Sequence, residues 1–121
     1  MKISSNKAFW ALLDKLVVEN RLVVDRPRGT HHPKFPDCVY PLDYGFLEGT
    51  KSTDNAGIDV WRGRSPGLGV VAVIVTVDHL KKDVEIKLLL DCSQEDIHTV
   101  QRFHNASLEM QGILLERIQQ N

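Results

Sequence analysis

Residues Tyr40 to Val60 read YPLDYGFLEGTKSTDNAGIDV, and this stretch decides how the rest of the chain is read. It opens on a paired-tyrosine turn, Tyr40-Pro41-Leu42-Asp43-Tyr44-Gly45-Phe46, and closes on two aspartates, Asp54 and Asp59, around Gly57. The first half reads as a bend entering a strand. The second reads as a polar loop whose last aspartate opens another strand, Ile58-Asp59-Val60-Trp61. Asp, Asn and Gly are the ordinary residues of turns. Carboxylates at a strand end beside a glycine loop also suit hard cations such as Mg²⁺, which take oxygen ligands.

Outward from this stretch the chain organises as helix, strands, helix. Phe9, Leu12, Leu13, Leu16 and Val17 follow the spacing of an amphipathic helix, with Ser4 or Ser5 as its cap. Strand signals cover Arg21 to Asp25, Val39 to Tyr40, Tyr44 to Leu47 and Ile58 to Arg62. The β-branched run from Gly67 to Val77 must lie mostly in the core. Asp83 to Leu90 reads as the last strand, its alternation at Val84, Ile86 and Leu88 arguing for one wet face. Ser93-Gln94-Glu95-Asp96 then caps a C-terminal helix. Its pattern of Ile97, Val100, Phe103 and Leu108 is expected to run on to Leu114, Leu115 and Ile118, divided at Asn105-Ala106-Ser107. Helices at both ends and short strands between them predict an α+β fold with a small twisted sheet or barrel.

At 121 residues the chain reads as a single domain, residues 1–121, with room for one core. Its apolar share of 42% and formal charge of −1 give no pull toward nucleic acid or an anionic membrane. Cys38 and Cys92 make neither a disulfide framework nor a metal motif. No run approaches the ~18 apolar residues of a membrane span, and the N-terminal stretch lacks the apolar run of a signal peptide. A cytoplasmic protein is expected. His31-His32 form no ligand spacing with His79, His98 or His104. Nothing marks a P-loop, a dinucleotide fingerprint or a covalent nucleophile.

The turn and loop together resemble the soluble inorganic pyrophosphatases of the first family, the Mg²⁺-dependent β-barrel enzymes. Those carry a YPxNYG(F/Y) turn and then a DGDPxD loop, matched here by Tyr40 to Phe46 and Asp54 to Asp59. The resemblance spans about Val23 to Phe103 and implies an OB-like barrel of about five strands flanked by N- and C-terminal helices. It implies metal roles for Asp54 and Asp59. Asp78 and Asp83 resemble the family's later DxxxxD pair, and Asp25 stands where its ExPxxxxxxK stretch has a metal-side glutamate. Lys34, at the preserved nine-residue separation, matches that stretch's phosphate-binding lysine, and Tyr44 matches a phosphate-binding tyrosine. The implied cofactor is Mg²⁺ or Mn²⁺, and the implied partner is pyrophosphate or a related small phosphate compound, with no nucleic acid and no membrane. Family members are oligomeric. The Phe9/Leu12/Leu13/Leu16 and Leu108/Leu114/Leu115/Ile118 stripes agree with a homo-oligomer.

The departures decide how much activity to expect. Ala56 replaces the aspartate that activates the attacking water, and an alanine accepts no proton. Losing a positioned general base costs about 10²–10⁴-fold. Gly57 replaces the loop's proline, and Glu85 stands where the family has a phosphate-binding lysine. Lys87, on the same strand face, substitutes only if the register differs. The family's phosphate-binding arginine has no evident equivalent, and its late Tyr-Lys pair is replaced by His104-Asn105-Ala106. The resemblance, with these departures, therefore implies a divergent, metal-dependent phosphoanhydride hydrolase of the pyrophosphatase type with weak activity, an inorganic diphosphatase if active. The alternative is a non-catalytic protein of the same fold that binds metal or phosphate in a regulatory or interaction role.

Overall fold

The computed structural model describes residues 2–4, 6–53 and 55–118, with side chains from residue 6 onward. Its framework is one seven-stranded sheet. The elements run β1 (Lys2–Ser4), α1 (Lys7–Glu19), β2 (Leu22–Arg26), β3 (Asp43–Leu47), β4 (Ile58–Arg62), β5 (Val70–Asp78), β6 (Asp83–Leu90), α2 (Gln94–His104) and β7 (Met110–Arg117). The strand order is β1-β7-β5-β6-β4-β3-β2. Pairing is antiparallel except between β1 and β7 and between β4 and β6. None of the described helices is long and apolar enough to cross a membrane.

The sheet is α+β as expected, but it is open where a closed five-stranded barrel was expected. The reason lies in the apolar runs. Val70 to Ile74 and Leu88 to Leu90 are buried at every position, so both faces of the central strands need cover. One helix supplies each cover. On one face α1 places Trp10, Leu13, Leu16 and Val17 against Leu47, Val60, Val73 and Leu88. On the other α2 places Ile97 and Val100 against Trp61, Ala72, Ile74, Leu89 and Leu114. A register shift between Val70 and Ala72 lets both Val71 and Ala72 face α2.

Three further expectations change. The stripe from Leu108 to Ile118 is not helical: α2 ends at its cap Asn105, and Met110–Arg117 returns as β7 beside β5. Ile113-Leu114-Leu115 fits helix or strand by apolar pattern alone. Within the strand Gly112 has a packing role, since a Cβ there would press on Ile74. Val39 and Tyr40 form no strand, only an isolated bridge between His31 and Val39. The cap of α1 is Asn6, whose side chain accepts the Phe9 N–H at 3.1 Å, rather than Ser4 or Ser5; Ser4 lies in β1, and Ser5 lies outside the described residues. The cap of α2 is the expected Ser93, paired with Asp96 in a capping box.

Gly45 is the tightest point of the sheet. It pairs with Val24 where β2 slips register, and a Cβ at residue 45 would overlap the Val23 carbonyl. Gly45→Ala must push β2 from β3. A loss of about 3 kcal/mol is expected, read as a lower urea midpoint at unchanged slope. A loss under about 1 kcal/mol would show that this contact does not constrain the sheet.

Candidate functional site

The polar centre of the molecule forms where β3, β4 and β6 meet on the α2 face. Tyr44 pairs with Trp61 across β3 and β4, and Phe46 with Asp59. The parallel pair Val60–Leu88 sets Asp59 beside Lys87, each one residue earlier on its strand. Along β6, side chains alternate, so Asp83, Glu85 and Lys87 share a face.

These registers bring four polar side chains together. Lys87 is 6% exposed. It donates to Tyr44 Oη at 2.7 Å, Asp59 Oδ2 at 2.9 Å and Glu85 Oε2 at 3.1 Å. An ammonium has three protons, so all are placed. Burial, followed by the charge of Asp59 beside it, raises the Tyr44 pKa, and the phenol stays neutral. Burial also raises Asp59, with Lys87 opposing and the Glu85 carboxyl adding to the rise. Lys81 stands outside as a second cation, its Nζ 3.8 Å from Glu85 and 3.7 Å from Asp83.

His104 lies under the centre. Its Nε2 accepts the indole N–H of Trp61 at 3.0 Å, which assigns the ring proton to Nδ1, facing Met110 Sδ at 3.3 Å. Burial and then the charge of Lys87 push its pKa down to about 3. Above the centre, Arg26 donates to the Tyr40 hydroxyl, its guanidinium over the Tyr40 ring. Asp43 accepts from the Arg28 N–H and the Arg62 guanidinium, both at 2.9 Å, and both hold its pKa down.

The residues singled out in the sequence divide among these positions. Tyr44 and Asp59 meet at Lys87. Asp78 and Asp83 pair across the mouth of the β5–β6 hairpin. There Asp78 Oδ1 accepts the Lys81 N–H at 3.1 Å, a turn contact. Asp25 is exposed beside the register shift of β2, and Lys34 is exposed in the loop before β3. Asp54 lies outside the described residues. Ala56 is exposed, and Gly57 has a packing reason, since a Cβ there would press on the Leu47 carbonyl and the Phe46 ring. Glu85 and Lys87, a departure and a conditional substitute by the sequence, stand together in the structure. The two-residue alternation from Asp83 was the signal that joins them.

Among the described residues no three acidic, histidine or cysteine side chains stand together as a metal-holding group. Asp59 and Glu85 already hold Lys87, and Asp83 faces Lys81. Among the described residues the donor set is therefore a carboxylate–ammonium cluster, which does not fit a resident cation.

No protein-family profile and no curated protein matches the chain. Among solved structures it is similar to an inorganic pyrophosphatase from Neisseria gonorrhoeae, at 15% identity and a TM-score of 0.49, over 76% of this chain and 71% of that one. It is similar also to an inorganic phosphatase from Anaplasma phagocytophilum, at 16% identity and a TM-score of 0.45, over 77% of each chain.

His104 makes the fold acid-sensitive in a defined window. Its folded pKa lies near 3, and the unfolded ring takes its proton near 6.5. Stability is thus fully present above a pH of about 6.5 and falls as the pH drops toward about 3. Between a pH of about 7.5 and about 5 this group removes about 2 kcal/mol. Asp59, whose pKa is raised, acts in the opposite sense, so the comparison is with His104→Gln. Urea titrations across that range should show a flatter profile for the variant. Parallel profiles would refute a buried neutral His104.

Proposed function

We propose that this chain is a divergent pyrophosphatase-like protein whose Tyr44–Asp59–Glu85–Lys87 cluster receives a small phosphoanhydride and turns it over slowly. One observation carries the reading: Tyr44 and Asp59, which the sequence resemblance assigns to phosphate and metal, converge from two strands on one buried ammonium. The four carboxylates of Asp59, Asp78, Asp83 and Glu85 exceed Lys81, Lys82 and Lys87 by one charge, an excess that disfavours a bare phosphate at the strand end of the site. A phosphoanhydride that arrives as its Mg²⁺ or Mn²⁺ complex meets this excess with its own cation. In this reading Lys34 and Lys81 take phosphate oxygens as charge-assisted donors, and neutral Tyr44 supplies a hydroxyl. The second reading, binding without turnover, is favoured by the exposed methyl of Ala56 where a water-activating acid is required.

Phosphate release from pyrophosphate with Mg²⁺ or Mn²⁺ tests the proposal. The native chain should release phosphate slowly, Asp59→Ala should abolish release, and Ala56→Asp should raise it by about tenfold or more. Binding of Mg²⁺–pyrophosphate with no release in the native chain or Ala56→Asp supports the second reading. No binding at all, or a native rate near the diffusional ceiling, refutes both.

Self-association belongs to the same proposal. Leu114 and Leu115 are taken up by the core, while Leu12 and Leu108 stay exposed at 64% and 96%. Light scattering should show a dimer or larger assembly, weakened by Leu12→Asp. A strict monomer would remove assembly from the reading.

A further inference from the structure

The loop from Arg26 to Tyr40, between β2 and β3, builds a second feature next to the Lys87 cluster. Lys34, Phe35 and Val39 of this loop, with Phe103 at the end of α2, line an open cleft of about 710 Å³. The Phe35 ring is 62% exposed. On its inner side it packs on His32 at 5.1 Å, and His32 stacks parallel over Tyr40 at 6.2 Å. Tyr40 continues the row to Phe103 at 5.5 Å and to Tyr44 at 5.5 Å. The aromatic row therefore leads from the cleft to a side chain that touches Lys87.

Cations border the same row. Arg26 lies over Tyr40 and donates to its hydroxyl. Lys34 lines the cleft. Arg26, Lys34 and Lys81 all lie close enough to His32 to disfavour its charged form, after the larger effect of burial. Lys81 is also the residue that faces Glu85 and Asp83. Positive charge thus bridges the aromatic cleft and the acidic cluster. Inorganic pyrophosphate has nothing to place on Phe35. A flat heteroaromatic ring does, because stacking on an aromatic side chain needs only a π face.

Resting on the reading of the Lys87 cluster as a phosphoanhydride site, we propose that the ligand is a nucleoside diphosphate or triphosphate. Its base stacks on Phe35 in the cleft, and its phosphates run along Arg26, Lys34 and Lys81 toward the cluster. The loop sets preference for an organic phosphoanhydride, and the strands hold the polar end.

Isothermal titration of the full-length chain with ADP, UDP and pyrophosphate, each with Mg²⁺, tests this. At least one nucleotide should bind about tenfold or more tightly than pyrophosphate. Phe35→Ala should erase that advantage and leave pyrophosphate affinity unchanged, while Phe35→Trp keeps it. Phe35 is exposed, so the fold should survive the change, which circular dichroism checks. Nucleotides binding no tighter than pyrophosphate, or an advantage that persists in Phe35→Ala, overturns the cleft assignment and leaves the phosphoanhydride reading standing. Nucleotide binding that depends on Phe35, with no measurable affinity for pyrophosphate, supports the cleft and overturns the inorganic reading. No binding of either ligand overturns both.

Discussion

A lysine ammonium shut away from water must find its acceptors inside the protein, and Lys87 finds them on three strands. Tyr44 comes from β3, Asp59 from β4 and Glu85 from β6 itself. Leaving such a charge without partners would cost several kcal/mol, far more than any one of these hydrogen bonds contributes. The contacts therefore act as a constraint on register. A one-residue slip of β4 against β6 would turn Asp59 to the α1 face and leave Lys87 short of one of its three acceptors. The parallel pairing of β4 with β6 and the antiparallel pairing of β3 with β4 have to agree for one ammonium to be satisfied.

The constraint extends to the aromatic packing above it. The Lys87 ammonium lies 5.2 Å from the Tyr44 ring centre, and that ring meets Trp61 edge-on at 4.6 Å. Trp61 in turn gives its indole proton to His104, whose neutrality the nearby ammonium helps enforce. Charge, aromatic geometry and a histidine tautomer are thus linked through contacts between neighbours. On the α1 face the polar link lies at the edge: Arg117 of β7 holds Asp14 of α1 with both guanidinium nitrogens and lies over the Trp10 ring, while the packing beneath is apolar.

The strands that were legible in the sequence are those whose pattern has one interpretation. Ile58 to Arg62 and Asp83 to Leu90 match β4 and β6 in extent because turn residues bound them on both sides, but the expected wet face of β6 is reversed at its start: Val84 and Ile86 are exposed, and Glu85 and Lys87 turn inward toward the polar centre. The Ser93–Asp96 capping box marks α2 for a local reason, two side chains satisfying two backbone N–H groups. β7 was hidden because Ile113-Leu114-Leu115 puts one residue toward α2 and others toward the α1 face, which in one dimension looks like a helical stripe. Within the site, motif spacing brought out Tyr44 and Asp59, but spacing names no partner. That Lys87 gathers both depends on strand order, a non-local property. Arg26 and Tyr40 meet across a loop, where no periodicity operates.

Lys87 also limits the chemistry at this centre. An ammonium neutralises carboxylates and donates hydrogen bonds, and here its three protons are all engaged. It offers no coordination position to a water and so does not make that water a better nucleophile. The nearest loop brings Ala56, which accepts no proton, and the raised pKa of Tyr44 keeps the phenol from serving as a base. Asp59 is the nearby group whose pKa is raised, which makes it a better proton acceptor, but Lys87 holds one of its oxygens. A ligand that drew Lys87 onto its phosphates would release Asp59, and one that drew Lys81 as well would release Glu85.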